Sequence, residues 1–244
     1  KHDLKPGRYI VSAIICIFMM YVGNILGTVI TALLQLLPGI SAGNPVLGYA
    51  TDDALLPKVL FMVILAPVIE EYIFRKQLID RMHIYGEKLA VITSALMFGL
   101  FHGNLSQLFY AFALGLVFGY VYLKTGRLRY SIGLHMLINF IGSVAGPFFL
   151  EKLAVLDTME TMDMAALEPI LPWLLGFGAY VLVLIGLAIA GLVLLCINKR
   201  RVSFAPAELE LPKESRFRIV YLNVGMILLI LGCAALIISN VIML

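Results

Sequence analysis

Seven stretches of this chain are apolar almost throughout, and most of its charge is confined to the segments between them. They run approximately over Tyr9–Leu37, Leu56–Leu78, Leu89–Phe101, Leu105–Leu123, Tyr130–Leu150, Ile170–Ile197 and Ile219–Leu244. A straight helix needs about 20 residues to cross the hydrocarbon core of a bilayer. Most of the stretches meet that length; the third must borrow from its flanks, and the first and sixth are long enough to tilt or protrude. Composition closes off the soluble alternative. With 61% hydrophobic and 14% charged residues and a mean hydropathy of +0.99, a 244-residue soluble fold would lack polar surface to cover itself. The expectation is an all-α polytopic transmembrane helix bundle, with residues 1–244 forming a single membrane domain of about seven spans.

The loops orient it. Basic residues cluster before the first span (Lys1, Lys5, Arg8), between the second and third (Arg75, Lys76, Arg81, Lys88), between the fourth and fifth (Lys124, Arg127, Arg129) and between the sixth and seventh (Lys199, Arg200, Arg201, Lys213, Arg216, Arg218). The alternate loops are poor in Lys and Arg: 38–55 carries Asp52 and Asp53, and 151–169 carries five acids with only Lys152. The positive-inside rule then predicts a cytoplasmic N-terminus and an external C-terminus. The loop 151–169 mixes Leu and Met with acids and reads as an interfacial helix; residues 198–218 read as a solvated cytoplasmic linker. A net charge of +3 gives no argument for nucleic acid.

Cys16, Cys196 and Cys233 each sit in an apolar run without a C-x-x-C pair, so buried thiols are expected rather than disulfides or a zinc ribbon. No cleavable signal pattern is evident, because the first apolar run continues well past signal length. Gly115 and Gly119 have the spacing that lets helix backbones approach closely, inside the bundle rather than at a dimer seam.

The informative residues are the polar ones at membrane depth, where a carboxylate costs about 2.5–3.5 kcal/mol even on the insertion scale. Glu70 and Glu71 lie side by side in the second span. Glu71 and Arg75 are four apart on one helix face and can pair. Glu70 points about 100° away and gains no such partner on its own helix. Pro67, one turn earlier, cannot donate to the carbonyl of Val63 and bends the helix there, which predicts a polar cavity beside Glu70. The third span ends in Phe98-Gly99-Leu100-Phe101-His102, and the fifth contains His135 and Asn139, four apart and facing the same way. Two membrane histidines, an asparagine in register and an unpaired glutamate point to a hydrolytic or proton-handling site.

Glu70-Glu71-x-x-x-Arg75, Phe98-x-x-x-His102 and His135-x-x-x-Asn139, in this order and on separate spans, resemble the three motifs of the CPBP family. These are the CAAX proteases and bacteriocin-processing enzymes, also called the Abi family. The resemblance covers about residues 57–145, which would form the catalytic core. It implies an intramembrane endopeptidase in which Glu70, with His102, holds and activates a water. His135 and Asn139 would stabilise the oxyanion, with Glu71, Arg75 and Phe98 in support. The family has also been described as metalloproteases, with Glu70, His102 and His135 as the three zinc ligands here. A metal-free mechanism is favoured: no H-E-x-x-H is present, and Glu70 could not easily be both ligand and base.

The substrate so implied is a peptide or protein, prenylated or else a peptide signal or bacteriocin, cleaved near the cytoplasmic side of a bacterial plasma membrane. Two other classes stay open. One is a non-catalytic scaffold or regulator that binds a peptide or a sensor kinase. The other is a proton-coupled transporter, against which the single asymmetric cluster and the lack of repeated halves count.

Overall fold

The computed structural model describes residues 2–38, 40, 55–154, 156, 167–209 and 211–242. Among these there is no strand, and the helical segments join into eight helices. In chain order they are α1 (Pro6–Leu34), α2 (residues 55–85), α3 (Glu87–Phe101), α4 (Leu105–Thr125), α5 (Leu128–Leu153), α6 (Leu171–Asn198), α7 (Lys213–Tyr221) and α8 (Val224–Val241). The loop bearing Asp52 and Asp53, and most of the segment expected to form an interfacial helix, lie outside the described residues.

Among the described residues every apolar run is largely helical, but five helices, α1, α4, α5, α6 and α8, are long and apolar enough to cross a membrane. The other two fall short for physical reasons. Helix α2 carries Glu70, Glu71, Arg75 and Lys76 near its middle, and α3 has only 15 residues. The outer surface is that of a protein solvated by lipid. Leu182, Val183 and Ile189 of α6, and Leu228 and Leu231 of α8, are exposed. Helix α6 buries only Leu184 and Gly191, and α8 only Cys233. Cys16 and Cys233 are buried free thiols; Cys196 departs from expectation by lying on the exposed surface of α6.

Local chemistry sets the helix ends around the site. Helix α3 starts after Gly86 (φ 118°) and stops before Gly103 (φ 65°), both in conformations that disfavour a side chain. Asn104 caps α4 by accepting from the Gln107 N–H at 2.9 Å. Helix α4 ends at Gly126, again left-handed.

Apolar clusters hold the helices together, among them two that flank the polar residues of the second, third and fifth helices. One joins α1, α4 and α5 through Cys16, Ile17, Met20, Leu114, Phe118, Leu134 and Ile138, with Leu184 of α6. The other joins α2, α3 and α4 through Phe74, Met97, Phe98 and Ala111. Gly115 and Gly119 do serve packing within the bundle. A Cβ on Gly115 would lie 2.9 Å from Ala95 Cα of α3, and one on Gly119 would meet Ile79 and Val91. At Gly23 the approach of α1 to α4 is closer still, a Cβ falling 2.2 Å from Tyr110 Cα.

The linker after α6 is more ordered than a solvated connector. Its second part forms α7, and its first part lies across one end of the bundle. The Ala205 N–H donates to Glu87 Oε2 at 2.7 Å, the Leu209 N–H donates to the Ile84 carbonyl at 2.8 Å, and Phe204 meets the Tyr120 ring edge-on.

Candidate active site

Helix α2 is unusual in its winding. Residues Lys58–Leu65 and Tyr72–Ile79 are π-helical, flanking an ordinary α-helical stretch, Ala66–Glu71, that carries Pro67, Glu70 and Glu71. The Ala66 N–H already reaches back five residues to the Phe61 carbonyl. In that register the next donor, for Met62, would be residue 67, which is proline and has no N–H. That register leaves the Met62 carbonyl without a donor on its own helix. Asn139 of α5 fills it, its Nδ2 donating at 2.8 Å. Helices with π turns commonly mark functional sites, because the extra residue re-aims the side chains that follow.

Glu71 and Arg75 pair as the spacing predicts. Arg75 donates from Nε to Glu71 Oε2 at 3.0 Å and from Nη2 to Oε1 at 3.2 Å, and neither side chain has any exposed surface. The fork is continued by Ser94 of α3. Arg75 Nη1 donates to Ser94 Oγ at 2.7 Å, and Ser94 Oγ donates to the Phe74 carbonyl at the same distance. The guanidinium also sits 4.8 Å from the centre of the Phe98 ring. Desolvating two ions costs several kcal/mol each, and only this density of partners offsets it.

His135 lies between the two glutamates. Its Nδ1 is 3.2 Å from Glu71 Oε1, and its Nε2 is 3.7 Å from Glu70 Oε2. A carboxylate bound bidentately to arginine is ionised and can only accept, so Nδ1 carries a proton and Nε2 is the nitrogen turned toward Glu70. Glu70 therefore does have a partner, but across the helix interface rather than on its own helix. It is also the open member of the pair, with 20% of its side-chain surface exposed against none for Glu71. Phe118 of α4 stacks on His135 with centroids 5.2 Å apart.

His102 occupies the end of α3. Its Nδ1 is 2.8 Å from the Phe98 carbonyl, and a carbonyl cannot donate, so the proton sits on Nδ1 and Nε2 keeps a free lone pair. Phe98 touches both imidazoles edge-on, at 5.0 Å for His102 and 5.4 Å for His135. Glu70, Glu71, Arg75, Phe98, His102 and His135 thus form one connected cluster on α2, α3 and α5, and Asn139 lies one turn beyond His135, bonded to the Met62 carbonyl. Ser94 and Phe118 join it without having been singled out in the sequence. An isolated serine and a core phenylalanine carry no signal of their own until the helices are packed.

The fit to zinc is poor. Among the described residues, no three His, Cys, Asp or Glu side chains are grouped so as to hold a metal ion. His135 has turned one nitrogen to Glu71, and Glu70, His102 and His135 do not converge as a ligand set.

Residues 52–141, which contain every member of this cluster, match the family of Type II CAAX prenyl endopeptidases, Rce1-like. The membrane-embedded CAAX protease MroQ of Staphylococcus aureus (strain USA300) is 33% identical over 88 residues, 33% of this chain and 36% of that protein. The chain therefore aligns with only about a third of the length of this curated relative. No solved structure matches the chain.

Proposed function

We propose, on the premise that residues 52–141 belong to the Rce1-like CAAX prenyl endopeptidase family, that this integral membrane protein is an endopeptidase using glutamate-activated water. The observation that carries the proposal is the division of labour between adjacent carboxylates. Glu71 is saturated by Arg75 and His135, whereas Glu70 is left open beside the His135 Nε2.

In this reading a water sits between Glu70 and the free Nε2 of His102. Glu70 takes its proton as the water oxygen bonds to the scissile carbonyl carbon. In this reading His135 acts as the imidazolium, its Nδ1–H held by Glu71 and its Nε2–H offered to the oxyanion, together with the amide hydrogen of Asn139 not used on Met62. Glu70 then passes its proton to the departing amine as the C–N bond breaks. Glu71, Arg75 and Phe98 hold the two histidines in place. The catalytic core spans about 57–145 within a single membrane domain.

We read α1–α6 and α8 as seven spans, with the N-terminus cytoplasmic. Contacts among the loops support this. Asp3 pairs with Arg127 and Arg129, Lys124 with Glu87, and Ala205 with Glu87, so the N-terminus and the 2–3, 4–5 and 6–7 connections meet at one end. Val68, Ile69 and Tyr72 beside Glu70 are exposed apolar surface, which suits a hydrophobic or lipidated peptide substrate.

The test is cleavage of a fluorogenic peptide library, with prenylated members, by purified protein in nanodiscs. Wild type is compared with Glu70→Gln, His102→Ala and His135→Ala, each with and without a zinc chelator. Loss of turnover in all three, with the wild type resistant to chelator, supports the glutamate mechanism. Activity lost with chelator and restored by zinc overturns it. Full activity in Glu70→Gln overturns the role of Glu70.

A further inference from the structure

Helix α8 lies outside the residues matched by the family, and most of its surface is exposed. One face is nevertheless committed to α3 and the site. Met226 and Ile230 pack against the cluster of Phe74, Met97 and Phe98. Further along, a Cβ on Gly103 would come within 3.2 Å of the Leu236 Cβ, and Asn240 Nδ2 donates to the Gly103 carbonyl at 2.9 Å.

That carbonyl belongs to the turn that ends α3. The last carbonyls of a helix have no donor within it, and in lipid no bulk water replaces one. Two asparagine amides answer the need here. Asn104 donates to the His102 carbonyl at 2.9 Å from within the turn, and Asn240 donates to the Gly103 carbonyl from the last helix. The Gly103 N–H bonds back to the Leu100 carbonyl, which keeps the turn wound. The direction of the His102 ring depends on that winding, because its Nδ1 is held by the Phe98 carbonyl one turn earlier.

We infer that Asn240 is a positioning residue for His102: by closing the last turn of α3 from outside, it keeps the His102 Nδ1 on the Phe98 carbonyl and the Nε2 lone pair free. The inference rests on the reading of His102 as part of the proteolytic site. A polar amide near the end of a largely apolar helix then has a purpose. Asn240 touches neither Glu70 nor His135 and acts through the turn alone.

The test is histidine 15N NMR of the full chain in nanodiscs, with the His102 signals assigned from their loss in His102→Gln. The wild type should show a single Nδ1–H tautomer for His102. Asn240→Leu should give a broadened or mixed-tautomer signal, and peptide turnover should fall about 10-fold with KM within about 2-fold, since small misplacements of a reacting group cost up to about 10²-fold. Asn240→Gln, which keeps the donor, should restore the signal and most of the turnover. If Asn240→Leu does not fold, Asn240→Ser, polar but too short to reach Gly103, serves in its place. An unchanged His102 signal in the folded variant overturns the inference, whether or not its melting temperature falls. The spectrum decides this even where no peptide is cleaved. Failure of the protease reading shows separately, as a wild type without turnover or a Glu70→Gln variant that retains it.

Discussion

Asn139 donates to the Met62 carbonyl at 2.8 Å, and Met62 is the residue whose π-register partner would be the missing N–H of Pro67. Helix α5 therefore supplies a hydrogen bond that α2 cannot make for itself. Replacing Asn139 by Leu should cost about 1–2 kcal/mol of stability, the range for a buried bond between membrane helices. Pro67→Ala restores an N–H to α2 and should make the same Asn139→Leu change cheaper. A double-mutant cycle from unfolding in detergent measures the coupling. Equal penalties in both backgrounds would sever the link between proline and asparagine.

The Glu71–Arg75 pair should behave as a unit. Arg75→Met leaves a fully buried carboxylate without its main partner, which costs about 3–5 kcal/mol. Arg75→Lys should rescue little, because an ammonium cannot make the two-point contact to Glu71 and also reach Ser94. The joint change Glu71→Leu with Arg75→Met should be milder than Arg75→Met alone. Thermal unfolding and yield in detergent, compared across the four proteins, read this directly.

Glu70 and Glu71 are neighbours in sequence with opposite expected phenotypes. Glu70 is partly exposed and makes one long contact to His135, so Glu70→Gln should change stability by less than about 0.5 kcal/mol. Its effect on turnover should be at least about 10²-fold, the usual worth of a general base. Glu71→Gln should do the reverse first, lowering the melting temperature before any intrinsic rate is read. Parallel melting curves and turnover per folded molecule separate the two. A Glu70→Gln variant that unfolds as readily as Glu71→Gln contradicts the assignment.

Much of this architecture can be read from residue order. The apolar runs mark the helices because lipid demands them, and the i, i+4 spacing of Glu71 and Arg75 foretells their pair. The π winding of α2 is a different matter. It depends on how the chain around Pro67 settles against α5, and no local pattern records which carbonyl is left open. The link from Asn240 to Gly103 joins residues 137 apart in sequence and exists only once α8 packs against α3. The Glu70 contact to His135 is likewise a product of packing: helical spacing shows which residues Glu70 cannot meet on α2, not what it meets on α5. Linker residues 202–209 look solvated by composition, yet Phe204 and Ala205 are held by partners on α3 and α4.

That docked linker gives a pH prediction outside the apolar spans. Glu87, ahead of the apolar run of α3, accepts from Lys124 Nζ and from the Ala205 N–H, each at 2.7 Å. Partial burial favours its protonated form, but the Lys124 ammonium and the Ala205 amide outweigh that and hold the carboxyl below its ordinary value. A depressed folded pKa means the clasp contributes fully above the unfolded glutamate value, about 4.3, and loses its contribution as pH falls through the lower folded one. The Ala205 amide should therefore stay protected from hydrogen exchange near neutrality and lose protection only as pH falls below the unfolded glutamate value. Protection factors corrected for intrinsic exchange give the measurement. Glu87→Gln should lower the neutral-pH protection to the acid level of the wild type and flatten the profile. A pH dependence that survives in Glu87→Gln would show that another group holds the linker down.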